Sequence, residues 1–99
     1  MIKENDISIV ILLFNTPKKL IKNLKNYKDF KILVLDQSND KKLEKYFKSF
    51  FPKLEFYKST KKNIGFAKGI NFLIKKVKTK YFLCTQPDIV IQKKSILNL

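Results

Sequence analysis

The 99-residue sequence has no histidine, no arginine and no tryptophan, and it holds one cysteine, two glycines and three prolines. Each shortage removes a class of function. Without histidine there is no Ser/His or Cys/His pair and no zinc set of the usual kind, so hydrolase chemistry of that type is excluded. The lone Cys84 cannot close an internal disulfide, and within an apolar run it reads as a small buried hydrophobe in a reducing compartment. All 22 basic residues are lysine. Arginine's planar fork dominates the reading of bases and phosphates, so its absence argues against a sequence-specific nucleic-acid reader. No Gly-x-Gly-x-x-Gly follows the first apolar run and no Gly-Lys-Ser/Thr occurs, so both the dinucleotide fingerprint and the P-loop are lacking. The apolar run at 7–14 is too short to span a bilayer, and polar and charged residues near the N-terminus break any signal-peptide pattern. The chain reads as soluble and cytoplasmic.

What is present is a core and a charge. With 44% hydrophobic residues and 13% aromatics, one domain of this length can bury a real interior. The formal net charge of +14 is large for 99 residues. The lysines read either as a solvated surface or as a surface that attracts anionic partners or the face of a membrane, the first being the commoner case.

Along the chain, apolar runs alternate with amphipathic ones. Ile7-Ser-Ile-Val-Ile-Leu-Leu-Phe14 is continuous and β-branched, the pattern of a strand buried on both faces. Asn15-Thr-Pro17 stops it, Thr16 caps a helix with Pro17 at its first position, and Leu20, Ile21, Leu24 and Tyr27 carry that helix to about residue 27. Lys31-Ile-Leu-Val-Leu-Asp36 is a second buried strand, ending on a carboxylate. Gln37-Ser-Asn-Asp40 is a turn; Leu43, Tyr46, Phe47, Phe50 and Phe51 then form the stripe of a helix that Pro52 ends. Leu54–Lys58 is a third strand nearer a sheet edge. A polar loop leads to a helix over residues 65–77, with Phe66, Ile70, Leu73, Ile74 and Val77 facing the core. Tyr81–Thr85 is a fourth strand, expected to be buried, and Gln86-Pro-Asp88 terminates it. Ile89-Val-Ile91 reads as a short extension and residues 94–99 as the opening of a last helix.

Alternation of this kind predicts an α/β fold, a doubly wound, mostly parallel sheet in the order 3-2-1-4 with helices on both faces. Ligands in such sheets lie outside the carboxyl ends of the strands at the switch point, here between the first and fourth strands. Phe14-Asn15, residues 36–40, residues 63–65 and residues 86–88 converge there. Asp36 either accepts from a ribose hydroxyl or base imide, or caps the turn that follows it. Asn63-Ile-Gly65 opens a helix and either favours an anion or serves as a plain cap. Asp88, the only acid in the last third of the chain, either stands in a turn or holds a divalent cation whose other ligands come from a diphosphate.

Four blocks, Ile7 to Asn15, Ile32-Leu-Val-Leu-Asp-Gln-Ser-Asn-Asp40, Asn63-Ile-Gly-Phe-Ala-Lys-Gly-Ile-Asn71 and Tyr81-Phe-Leu-Cys-Thr-Gln-Pro-Asp88, resemble in order and spacing the family 2 glycosyltransferases of GT-A fold, most of all the rhamnosyltransferase-like members. The resemblance implies a single nucleotide-sugar-binding domain, the donor half of that Rossmann-like fold, and a nucleoside-diphosphate sugar as partner in polysaccharide or cell-surface glycan synthesis. Phe14, Asn15 and Asp36 would surround base and ribose. Ser38 and Asp40 match the second-strand loop; Asn63, Gly65 and Asn71 match the loop and helix beside the diphosphate. Gln86-Pro-Asp88 takes the Asp-x-Asp position, with Asp88 as ligand to Mg²⁺ or Mn²⁺ and Gln86 in place of the first acid. In this family transfer inverts the anomeric carbon and needs an acidic base from the half that follows, so turnover is not expected of these residues alone.

Two further expectations follow from the pattern. An incomplete sheet edge predicts self-association, and the lysine-rich surface suits a peripheral position at the inner membrane face. The alternative function is a non-catalytic basic α/β module that binds anionic polymers or a membrane surface.

Overall fold

The apolar runs become strands because each is short, β-branched and punctuated by turn residues. The computed structural model describes residues 2–38, 42–59, 65–89 and 91–98. The strands are β1 (Ile7–Leu13), β2 (Lys31–Asp36), β3 (Leu54–Lys58) and β4 (Tyr81–Thr85). They form one sheet in the order β3-β2-β1-β4, with every neighbouring pair parallel. The helices are α1 (Lys18–Ile21), which tightens into a 3-10 helix over Lys22–Tyr27, α2 (Leu43–Lys48), α3 (Phe66–Ile74) and α4 (Lys93–Leu97). The tightening has a visible cause. Ile21, Leu24 and Tyr27 recur every third residue and all are fully buried, which suits the three-residue turn of a 3-10 helix.

Two cores flank the sheet. On one face Ile7, Ile9, Ile11 and Leu13 of β1 and Ile32 and Val34 of β2 pack with Ile21, Leu24, Tyr27, Leu43, Phe47, Phe51 and Ile96. On the other, Val10, Leu33 and Leu35 meet Leu73 of α3, with Leu12, Tyr57, Ile70 and Val77 at the margin. Phe47 stacks on Phe51 at 5.5 Å between centroids and tilts against Phe56 at 5.7 Å. Gly69 lets α3 approach β1, since a Cβ there would lie 2.7 Å from a methyl of Leu12.

Several expectations need correction. β4 is not buried on both faces: Tyr81 and Phe82 are 44% and 45% exposed, Cys84 is exposed, and only Thr85 is enclosed. It is an edge strand paired with β1 alone, and α3 rests on β1 and β2 rather than over it. Cys84 is therefore not a buried hydrophobe, although what burial it has pushes its thiol pKa up. Phe66 does not face the core but stands 59% exposed at the start of α3. Among the described residues, Ile89 and Ile91 belong to no strand.

Candidate functional site

The carboxyl ends of β1, β2 and β4 meet at one edge, and Asp36 is its most constrained residue. Asp36 is the last residue of β2, in register with Leu13 on one side and Lys58 on the other. Gln37 N–H donates to the Leu13 carbonyl at 2.8 Å, and Ser59 N–H donates to the Asp36 carbonyl at 3.0 Å. The backbone is thus held from both neighbours. The side chain is fully buried. Its Oδ1 accepts from Ser38 N–H at 2.9 Å and from the Ser38 hydroxyl. Its Oδ2 has no hydrogen-bond partner among the described residues. Capping of the turn and availability to a ligand are therefore not alternatives here: one oxygen caps and the other is vacant. A buried polar oxygen left unpaired costs about 1–3 kcal/mol, so a native structure that keeps one calls for a reason.

Around this carboxylate the chain adopts backbone conformations that ordinary residues avoid. Asn15, just past β1, has φ 50°, a left-handed conformation that Asn tolerates better than most. Gly65, which precedes α3, has φ 88°. At the exit of β4, Ile89 N–H donates to the Gln86 carbonyl at 3.0 Å, closing a four-residue turn with Pro87 and Asp88 at its centre. Pro87 is buried and Asp88 exposed. Under this turn the Thr85 hydroxyl is a second buried oxygen without a partner.

A cavity of about 270 Å³ joins these ends, lined by Leu12, Phe14, Thr16, Gln37, Phe66, Gln86 and Pro87. Of the residues singled out in the sequence, Phe14 and Gln86 line it. Asn15, Asp36 with Ser38, Gly65 and Asp88 lie next in sequence to lining residues without lining it themselves. Asn71 is exposed on α3 and takes no part in the cavity. Asp40 and Asn63 lie outside the described residues. Gln37 and Pro87 lie within the stretches 36–40 and 86–88 expected at this edge, although nothing in the sequence gives them a role of their own. Thr16 and Phe66 are additions from the structure, since helical periodicity points Phe66 to the core.

The donor set decides what cation could fit. Among the described residues no three of His, Cys, Asp and Glu gather as a metal cage. Asp88 and Gln86 offer one carboxylate and one amide oxygen at the same turn. Mg²⁺ wants about six oxygens and often takes most of them from water and phosphate. These residues fit a divalent ion that arrives with a diphosphate, and they do not fit one held by the protein alone.

A larger cavity, about 560 Å³, opens at the opposite edge of the sheet among Ser8, Lys31, Lys53, Glu55, Lys78 and Thr79. Its polar groups are largely spent on one another. Lys31 pairs with Glu55 at 3.2 Å, the Ser8 and Thr79 hydroxyls bond at 2.7 Å, and Lys53 donates to the Asp29 carbonyl. Size alone does not make it the functional site.

The sequence matches the family model "Glycosyl transferase family 2" over residues 8–99. The chain belongs to glycosyl transferase family 2. The match takes in β2, β3 and β4 entirely and all of β1 but its first residue, Ile7. The fold is shared with S. aureus TarS: the structure of TarS residues 1–349 superposes with a TM-score of 0.74 at 18% identity, covering 94% of this chain and 30% of that one. The same TarS fragment in complex with UDP-GlcNAc gives 0.74 at 19% identity, covering 94% of this chain and 29% of that one. A TarS structure that this chain covers to 18% gives 0.75 at 19% identity, over 94% of this chain. The parallel sheet in the order β3-β2-β1-β4 is that of the GT-A fold. The chain thus spans under a third of the length of these neighbours. No curated protein matches the sequence.

Proposed function

We propose that this family 2 chain binds a nucleoside-diphosphate sugar across the carboxyl edge of its sheet, as the donor-binding part of a glycosyltransferase in polysaccharide or cell-surface glycan synthesis. The observation that carries the reading is the vacant Oδ2 of Asp36, a fully buried carboxylate oriented by Ser38 at the edge where such sheets take ligands. An imide N–H of a pyrimidine base is the matching donor. Phe14 and Asn15 flank the nucleoside from β1, and the start of α3 at Gly65, with Asn63 and Asn71, serves the diphosphate. Ser38 and Asp40 are assigned to the nucleoside side with Asp36.

Asp88, with Gln86 beside it, would hold Mg²⁺ or Mn²⁺ together with the diphosphate. When bound, such an ion supplies Lewis-acid stabilisation of charge on the leaving diphosphate. The chain's own residues bind and orient the donor; the base that would activate an acceptor hydroxyl is assigned to none of them. That TarS has been solved with UDP-GlcNAc and with UDP supports uridine nucleotides as first probes. The rhamnosyltransferase-like blocks add nucleotide-linked rhamnose.

The charge of +14 supports peripheral contact with an anionic membrane face on the cytoplasmic side. No described helix is long and apolar enough to cross a membrane. Exposed Tyr81 and Phe82 on the edge strand support self-association there. The same charge is what favours the second reading, a basic module for anionic polymers.

Thermal stability followed with UDP, dTDP or GDP and Mn²⁺ separates the two. The donor reading predicts a rise in melting temperature that Asp36→Ala and Asp88→Ala diminish. The basic-module reading predicts heparin affinity that collapses with salt and ignores both substitutions.

A further inference from the structure

We infer that Tyr27, with Asn26 beside it, is a positioning residue that sets where Asp88 stands, an inference that rests on the reading of Asp88 as the metal-side ligand of a bound diphosphate. Asp88 sits in a four-residue turn that is anchored upstream by the β4–β1 register, in which Thr85 pairs with Ile11. A turn held at one end only leaves its exposed central carboxylate free to swing. The downstream anchor comes from far away in the chain. The Tyr27 hydroxyl donates to the Ile89 carbonyl at 3.4 Å and accepts from Ile91 N–H at 3.3 Å. The Asn26 side-chain amide donates to the Ile91 carbonyl.

The Tyr27 ring is itself fully buried among the residues of the larger core. Its one polar atom is directed at the segment just beyond the turn. A second tie reinforces the first: Lys93, at the start of α4, pairs with Glu4 and with Asp29 at 3.0 Å. The end of the 3-10 helix and the bend after it therefore hold Ile89, Ile91 and Lys93. Binding sites need their ligating groups held within about 0.5 Å by neighbours locked in place through packing. Tyr27 supplies that support without touching a nucleotide.

The test is a calorimetric titration of the 99-residue chain with UDP, with and without Mn²⁺, taking the ratio of the two affinities as the gain due to metal. Asp88→Ala is expected to abolish the gain. The hydroxyl contacts are long, so Tyr27→Phe is expected to lower the gain about three- to tenfold, with metal-free UDP affinity unchanged within about twofold. Asn26→Ala, at an exposed side chain, moves it the same way and decides the matter if Tyr27→Phe does not fold. The inference is overturned, with the reading of Asp88 intact, if Asp88→Ala loses the gain while Tyr27→Phe and Asn26→Ala keep it. It is overturned equally if the two variants weaken metal-free and metal-dependent binding alike. If the unaltered chain shows no gain, or Asp88→Ala retains it, the reading of Asp88 fails and the inference falls with it.

Discussion

Ser38 bends back onto Asp36 so that its N–H and its hydroxyl both serve Oδ1, leaving Oδ2 of the same buried carboxylate with no partner among the described residues. A stability-driven core would not keep such an oxygen, because the half-satisfied carboxylate is a cost in the unliganded fold. Function and stability should therefore part company at this position.

Asp36→Asn tests that separation. The amide oxygen still accepts from Ser38, and the vacant acceptor becomes a donor. The expected outcome is an unliganded melting temperature equal to or above that of the unaltered chain. UDP affinity should fall roughly ten- to hundredfold, the worth of a hydrogen bond to a charged group. Calorimetry and thermal melts read the two quantities separately. A loss of stability with full retention of UDP binding would assign Asp36 to the fold alone.

Much of this arrangement was legible in the sequence, and the misses have physical causes. The bounds of β2, β3 and β4, the strand order and the convergence at one edge follow from apolar runs punctuated by Asn, Pro and Asp. The burial of β4 did not follow, because an apolar run shows that a strand can be covered, not that a helix arrives to cover it. Phe66 has core spacing, but it belongs to the first turn of α3 and overhangs the cavity. Periodicity cannot distinguish those two fates. The 3-10 spacing of Ile21, Leu24 and Tyr27 is also compatible with an α-helix. The grip of Tyr27 on residues 89 and 91 links positions more than sixty apart, and no local pattern announces it.

Gly65→Ala isolates backbone strain. Gly65 has φ 88° and a Cβ there would meet nothing within 4 Å, so the added methyl has room but not a comfortable conformation. With ψ 165° the residue lies in a region that only glycine enters readily, so the cost should be about 1–3 kcal/mol, which for a chain of this size lowers the melting temperature by about 4–8 °C per kcal/mol. Calorimetric melts that show no difference for the alanine variant would mean that this conformation is not required.

Acid and base titration should expose the tie between Lys93 and its two partners. The hydrogen bond from Lys93 holds Asp29 below its ordinary value of 3.8, and bonds to Glu4 and Asp29 raise Lys93 above 10.5. A lowered carboxylate stabilises the fold above its unfolded value and loses that contribution as pH falls through the folded one. A raised ammonium stabilises below its unfolded value and loses that contribution as pH climbs through the folded one. The difference in urea midpoint between the unaltered chain and Lys93→Met should therefore be flat from about pH 5 to about pH 10 and shrink on either side. It should be small throughout, because all three side chains keep a third or more of their surface in solvent.

The central claim is that a nucleoside diphosphate binds at the carboxyl edge of the sheet, and amide NMR during a titration with UDP and Mg²⁺ addresses it directly. The account predicts saturable shifts at Leu13 to Asn15, Asp36 to Ser38, Gly65 to Phe66, and Gln86 and Asp88, which in Asp36→Asn need roughly ten- to hundredfold more UDP to reach the same extent. Shifts concentrated instead around Lys31, Lys53 and Lys78 at the opposite edge, or no saturable shifts at all, would contradict it.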